Sequence, residues 1–84
     1  MAPPLKIKSG KHAKPSGLVK GSVKIAGHAT SVSLEPIFWA ALRVAAAQDA
    51  EPISAIITQI DEARTTNLSS AIRVWLFQRA TRAN

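Results

Sequence analysis

Apolar residues alternate with polar ones from Ser22 to Leu34, but the alternation changes parity on the way. Val23 and Ile25 carry it at odd positions, and Thr30, Val32 and Leu34 carry it at even positions. A strand of period 2 cannot change parity without a bulge or a turn. Gly27, between Ala26 and His28, is the place for that break. Two short strand pieces follow, of which 29–34 is the better formed. One of its faces holds Thr30, Val32 and Leu34, and the other holds Ala29, Ser31 and Ser33.

Glu35-Pro36 then opens a helix, because proline is accepted in a first turn and an acid there complements the helix dipole. Ile37, Phe38, Ala41, Leu42, Val44 and Ala45 form one apolar arc, and the run ends around Gln48-Asp49. Trp39 and Arg43 lie off the arc, four residues apart, at a spacing that lets them stack. A second helix starts near Pro52, with Ile53, Ile56, Ile57 and Ile60 in a narrow stripe. These isoleucines are modest helix formers, so packing must hold the element. Arg64-Thr65-Thr66 interrupts the pattern, and Asn67 caps a third helix. There Leu68, Ala71, Ile72, Trp75 and Leu76 face one way, while Val74 and Phe77 fall outside that stripe. Both call for burial in a dimer or for a docked partner.

Charge divides the chain. All six lysines (Lys6, Lys8, Lys11, Lys14, Lys20 and Lys24) precede Ile25, with no acid among them. The five arginines and five acids that follow cancel, so the net charge of +6 sits at the N-terminal side. Residues 1–21 carry three prolines, three glycines and two serines and read as a flexible basic arm. Such an arm points to a polyanion, nucleic acid first. The expected domain spans 22–80 and a short tail spans 81–84.

Other classes are disfavoured. No run approaches the ~20 apolar residues of a membrane span, and no apolar region of a signal peptide follows the first charges. With no cysteine and only His12 and His28, neither a disulfide framework nor a zinc site can be assembled. No nucleophile–His–acid set or phosphate-binding Gly-rich loop is legible, so no catalysis, metal or cofactor is expected. The expected location is the cytoplasm, in association with the nucleoid.

About sixty ordered residues make a marginal monomer. The better strand also lacks a partner within the chain, unless residues 22–26 fold back on it. Pairing two chains through their strands resolves both problems and implies an obligate homodimer.

One strand followed by two helices, in a small basic dimer, resembles the ribbon-helix-helix DNA-binding proteins. The segments ATSVSLEPIFWAALRVAAAQ and SAIITQIDEARTTNLSSAIRVWL are similar to a bacterial subfamily of short ribbon-helix-helix domains. Its marks are an S-x-S-L-E strand end, a Phe-Trp pair, an I-D-x-x-R link and N-L-S-S-A-[IL]-R. The likeness covers roughly residues 22–78.

The resemblance implies a mainly α fold with one N-terminal strand: β-α-α plus a third helix. It further implies an intertwined homodimer with a two-stranded antiparallel ribbon between subunits. It implies transcription regulation, the ribbon entering the major groove of double-stranded DNA. Ala29, Ser31, Ser33 and His28 are then the candidate base contacts. Lys20 and Lys24, with the backbone at Ile53 and Ser54, are the candidate phosphate contacts. Val32, Leu34, Phe38, Leu42, Ile56, Ile57, Ile60, Ile72 and Trp75 are the expected dimer core. The chain departs from the family in having no arginine on the strand and in placing Glu51 beside the phosphate clamp. The alternative is an antitoxin-like or assembly protein whose third helix binds a protein partner.

Overall fold

The computed structural model describes residues 17–82. Two strands, β1 (Val19–Ile25) and β2 (His28–Leu34), precede three helices, α1 (Pro36–Asp49), α2 (Ile53–Ala63) and α3 (Leu68–Arg82).

β1 and β2 pair antiparallel, from Ile25 opposite His28 to Val19 opposite Leu34. The parity change is what this register requires, because each pair joins an odd position to an even one. The turn consists of Ala26 (φ 51°) and Gly27 (φ 86°). Two consecutive positive φ values make a type I′ turn, whose twist matches that of a hairpin. Glycine adopts this backbone freely, whereas Ala26 does so at a cost of about 1 kcal/mol.

The strand 29–34 therefore has a partner within the chain, where a single strand was expected. Residues 22–26 do fold back on it, and the pairing continues to Val19. Of the residues assigned to the arm from sequence, 17–21 are described, and Val19, Lys20 and Gly21 lie in β1. Thr81 and Arg82, assigned to a tail, complete α3. The rest of the arm, residues 1–16, and of the tail, residues 83–84, lies outside the described residues.

Ile25, Val32 and Leu34 turn one face of the hairpin onto the helices and are buried there. Trp39 clamps β1 to α1. Its Nε1 donates to the Val19 carbonyl at 2.8 Å. Its ring lies so close to Gly21 that a Cβ at that position would meet it at 2.8 Å. The tryptophan is thereby engaged with the strand rather than stacked on Arg43.

Glu35 caps α1 through its backbone, its carbonyl accepting from the amides of Phe38 and Trp39 at 2.9 and 3.2 Å. At the other end Ala50 takes the left-handed conformation (φ 55°). The amide of Glu51 closes back on Ala46 at 3.0 Å, ending the helix in a Schellman-type turn. Ile56, Ile57 and Ile60 are buried along α2, each such side chain contributing about 1.5–3 kcal/mol by leaving water. Asn67 caps α3 as expected, its Oδ1 accepting from the Ser70 amide at 2.9 Å.

Every residue expected in a dimer core packs within this one chain. Val32, Leu34, Leu42, Ile56, Ile57, Ile60 and Ile72 are buried, and Phe38 and Trp75 pack against them half-buried. The apolar arc of α1 splits. Leu42 and Ala45 face the core, whereas Ile37 and Val44 remain 70% and 55% exposed. On α3, Val74 and Phe77 remain 53% and 68% exposed. Among the described residues, no helix is long and apolar enough to cross a membrane.

Candidate nucleic-acid interface

The face of the hairpin turned away from the helices carries Lys20, Ser22 and Lys24 on β1 and Ala29, Ser31 and Ser33 on β2. The register sets them directly opposite one another: Lys24 with Ala29, Ser22 with Ser31, Lys20 with Ser33. All are exposed except Ser33, which is half-buried.

A two-residue I′ loop makes Ile25–His28 a hydrogen-bonded pair. Bonded and non-bonded pairs alternate, so the three outward pairs are non-bonded ones, with Cα atoms about 4.5 Å apart and side chains close together. Their N–H and C=O groups on β2 point to its outer edge. There the Ser33 carbonyl accepts from the Ser69 hydroxyl of α3 at 3.1 Å.

The sequence-derived candidates are only partly brought together. Ala29, Ser31 and Ser33 share the outward face with Lys20 and Lys24. His28 has the parity of Val32 and so stands on the opposite face. It lines a groove of about 460 Å³ beside Thr30, Asp61, Arg64 and Leu68. Ser22 belongs to the face and is absent from the candidates read from sequence. The signal for it was the parity change, which brings Ser22 opposite Ser31 once the turn is taken to have two residues.

At the start of α2, Pro52 supplies the capping position, and its carbonyl accepts from the amides of Ala55 and Ile56 at 3.0 and 3.3 Å. The first two amides of the helix, those of Ile53 and Ser54, have no intrahelical acceptor, as at any helix start. Asp61 and Arg64, at the other end of α2, line the groove next to the turn residues Ala26 and His28. Ile53 is therefore set back from the turn, roughly 12 Å along the helix axis.

Electrostatics separate Lys20 and Lys24 from Arg64, Arg73 and Arg79. Arg73 holds Glu35 with two contacts, at 2.9 and 3.3 Å, and lies 5.8 Å from the Phe38 ring centre. Arg79 holds Asp49 at 2.7 and 3.1 Å and Gln48 at 3.1 Å, with its guanidinium 5.2 Å from the Trp75 ring centre. Arg64 pairs with Asp61 at 2.7 Å, the local bridge that their spacing predicts. The Arg73 guanidinium holds the Glu35 carboxyl below its usual range. Arg79 does the same to Asp49, and its own pKa is raised in return. Three acids are thus spent on arginines. Lys20 and Lys24 have no ion-pair partner among the described residues, which leaves their charge on the outward face.

The sequence model of the ribbon-helix-helix domain matches residues 18–80. The chain belongs to the ribbon-helix-helix domain family. The matched segment starts at the hairpin and ends within α3, so it covers β1, β2, α1 and α2 whole and most of α3. Ribbon-helix-helix domains are generally DNA-binding transcription regulators or antitoxins, and they typically act as homodimers without catalytic activity. In this ribbon-helix-helix domain β1 and β2 form a two-stranded antiparallel sheet within the chain. No curated protein and no solved structure matches the chain.

Proposed function

We propose that this ribbon-helix-helix domain is a DNA-binding transcriptional regulator, acting as a homodimer that inserts a two-stranded ribbon into the major groove. The observation that carries the reading is the outward hairpin face. It presents three serines, an alanine and two unneutralised lysines, with no acid among them. B-DNA's major groove admits a β-ribbon of this width. Serine hydroxyls donate and accept, so Ser31 and Ser33 suit several base edges. Ala29 suits a thymine methyl.

The free amides of Ile53 and Ser54 clamp a backbone phosphate, fixing the docking angle without reading sequence. The four lysines of residues 1–16 add sequence-independent affinity through counterion release. A second copy covers apolar surface that one chain leaves open, at Ile37, Val44, Val74 and Phe77.

Selection of genomic DNA fragments by the purified full-length protein tests this reading, against random competitor DNA near physiological salt. Enrichment of fragments that share a short palindromic or repeated site is the expected result. Uniform recovery with no shared site would mean that the ribbon does not read bases.

A second reading rests on the same exposed side chains of α3. An antitoxin-like or assembly protein would use Val74 and Phe77 to hold a different protein. A folded protein that selects no DNA but binds a partner through Phe77 would favour it.

A further inference from the structure

We propose that the cleft between β1 and the start of α1 is a ligand site for a small hydrophobic carboxylate, with the carboxylate on Arg43 and the apolar body against Trp39 and Pro36. The site lies apart from the DNA-binding reading and does not depend on it.

The cleft has a volume of about 290 Å³ and is lined by Val19, Gly21, Pro36, Trp39 and Arg43. Ligand pockets run from roughly 300 to 1,000 Å³, so this one stands at the small end. That size suits an acid with one ring or one short branched chain.

The polar groups of the lining can be followed residue by residue. Trp39 engages its one side-chain donor with the Val19 carbonyl, at 2.8 Å. Its ring therefore offers the cleft apolar surface, in a position that close contact with Gly21 holds. Val19–Leu34 and Gly21–Val32 are hydrogen-bonded pairs of the hairpin, by alternation from Ile25–His28. Their backbone groups consequently point to β2 and not to the cleft. The Trp39 amide is held by the Glu35 carbonyl at 3.2 Å, and Pro36 has no N–H to give.

The Arg43 guanidinium is what remains. It is exposed, and among the described residues no acid pairs with it and no ring lies beneath it. Glu35, the acid next to Pro36 in the chain, is held by Arg73 at 2.9 Å. A planar fork of donors beside otherwise apolar walls defines the ligand's chemistry. A carboxylate matches the fork with two parallel hydrogen bonds. The walls call for a body without polar groups, because a polar group covered without a partner weakens binding. A phosphate diester fits less well, since its flanking sugars are polar and would lie against Trp39 and Val19.

Titration of the full-length protein with phenylacetate, followed by heteronuclear NMR, tests the site. The indole N–H signals belong to Trp39 and Trp75, and Trp75→Phe assigns them. A saturable shift of the Trp39 signal is expected, with the Trp75 signal unmoved. Arg43→Gln should weaken binding at least about tenfold, as loss of a charge-assisted pair does, and Arg43→Lys should weaken it less. Unchanged thermal unfolding verifies that both variants are folded. Phenylacetamide, the same ring without the charge, should bind at least about tenfold more weakly than the acid.

Equal binding of the amide and the acid would overturn the proposal, as would undiminished binding by Arg43→Gln. Inorganic phosphate that moves the Trp39 signal as strongly as phenylacetate would also overturn it and assign Arg43 to phosphate instead. The absence of any saturable shift with phenylacetate and with isovalerate, a branched-chain probe, would remove the site altogether.

Discussion

The indole of Trp39 stands over Gly21, donating its Nε1 hydrogen to the Val19 carbonyl at 2.8 Å while its ring occupies the space a Cβ would need. One side chain of α1 thus fixes both the position of β1 and the identity of a strand residue. This matters for function because β1 carries half of the outward face. If the strand shifts, Lys20, Ser22 and Lys24 shift with it.

Gly21→Ala is therefore expected to destabilise the protein by about 1–3 kcal/mol, the usual cost of forcing atoms into a packed site. The measurement is urea unfolding followed by tryptophan fluorescence and circular dichroism. The contacting atoms belong to the six-membered part of the indole, so combining Gly21→Ala with Trp39→Phe should cost less than the sum of the two changes. Strict additivity would show that the close approach is not what selects glycine.

Two alanines hold left-handed backbone, Ala26 in the turn and Ala50 after α1. Ala50→Gly and Ala26→Asn should each raise stability by about 0.5–1 kcal/mol, because glycine and asparagine adopt this conformation with less strain. Chemical denaturation with a common slope would measure it. A loss of stability in both variants would contradict the strain at these two sites.

Stability should also depend on pH through the two ion pairs that tie α3 to the ends of α1. Glu35 and Asp49 have folded pKa values below their ordinary 4.5 and 3.8. Their contribution is therefore complete above those ordinary values and is lost as pH falls through the lowered folded values. Arg79 stays protonated across that window and adds no dependence. Melting midpoints measured from pH 7 down to pH 2.5 should fall at the acid end, and more shallowly for Glu35→Gln. Parallel curves for the variant and the wild type would exclude Glu35 as a contributor.

Contacts to bases and to phosphates separate experimentally. Ser31→Ala combined with Ser33→Ala should weaken binding to a selected site and leave random-DNA binding nearly intact. Equal loss on both sequences would count against base reading. Deleting residues 1–16, which stops short of β1, should flatten the salt dependence by up to about 0.9 for each lysine–phosphate contact removed. An unchanged slope would reject a phosphate role for that segment.

Phe77 is 68% exposed, so Phe77→Asp should leave the helical signal of the protomer unchanged. Sedimentation should then reveal whether association is lost. A monomer would place Phe77 in the interface between copies. An intact dimer that no longer retains a second protein would place it on a docking surface.

Much of the fold follows from local pattern. Helix starts at Pro36 and Asn67 are written in residues whose backbone preference or capping group acts within one turn. The isoleucine stripe of α2 and the alternation of β2 announce which faces are buried, because period alone decides which side chains point together. The parity change at Gly27 likewise demanded a turn, and the family likeness was legible in the residues alone.

Partners across the chain were not legible, because they depend on distance rather than on order. Whether β2 paired with β1 was open in the sequence; the packing of Trp39 on Gly21 and the closed hairpin register show that it does. The same holds for charge. Eleven cations against five acids specify a basic protein, but only the folded arrangement brings Glu35 to Arg73 and Asp49 to Arg79 across 38 and 30 residues of chain. Long-range closeness of that kind neutralises Arg73 and Arg79 and leaves the lysines of β1 as free charge on the hairpin's outward face.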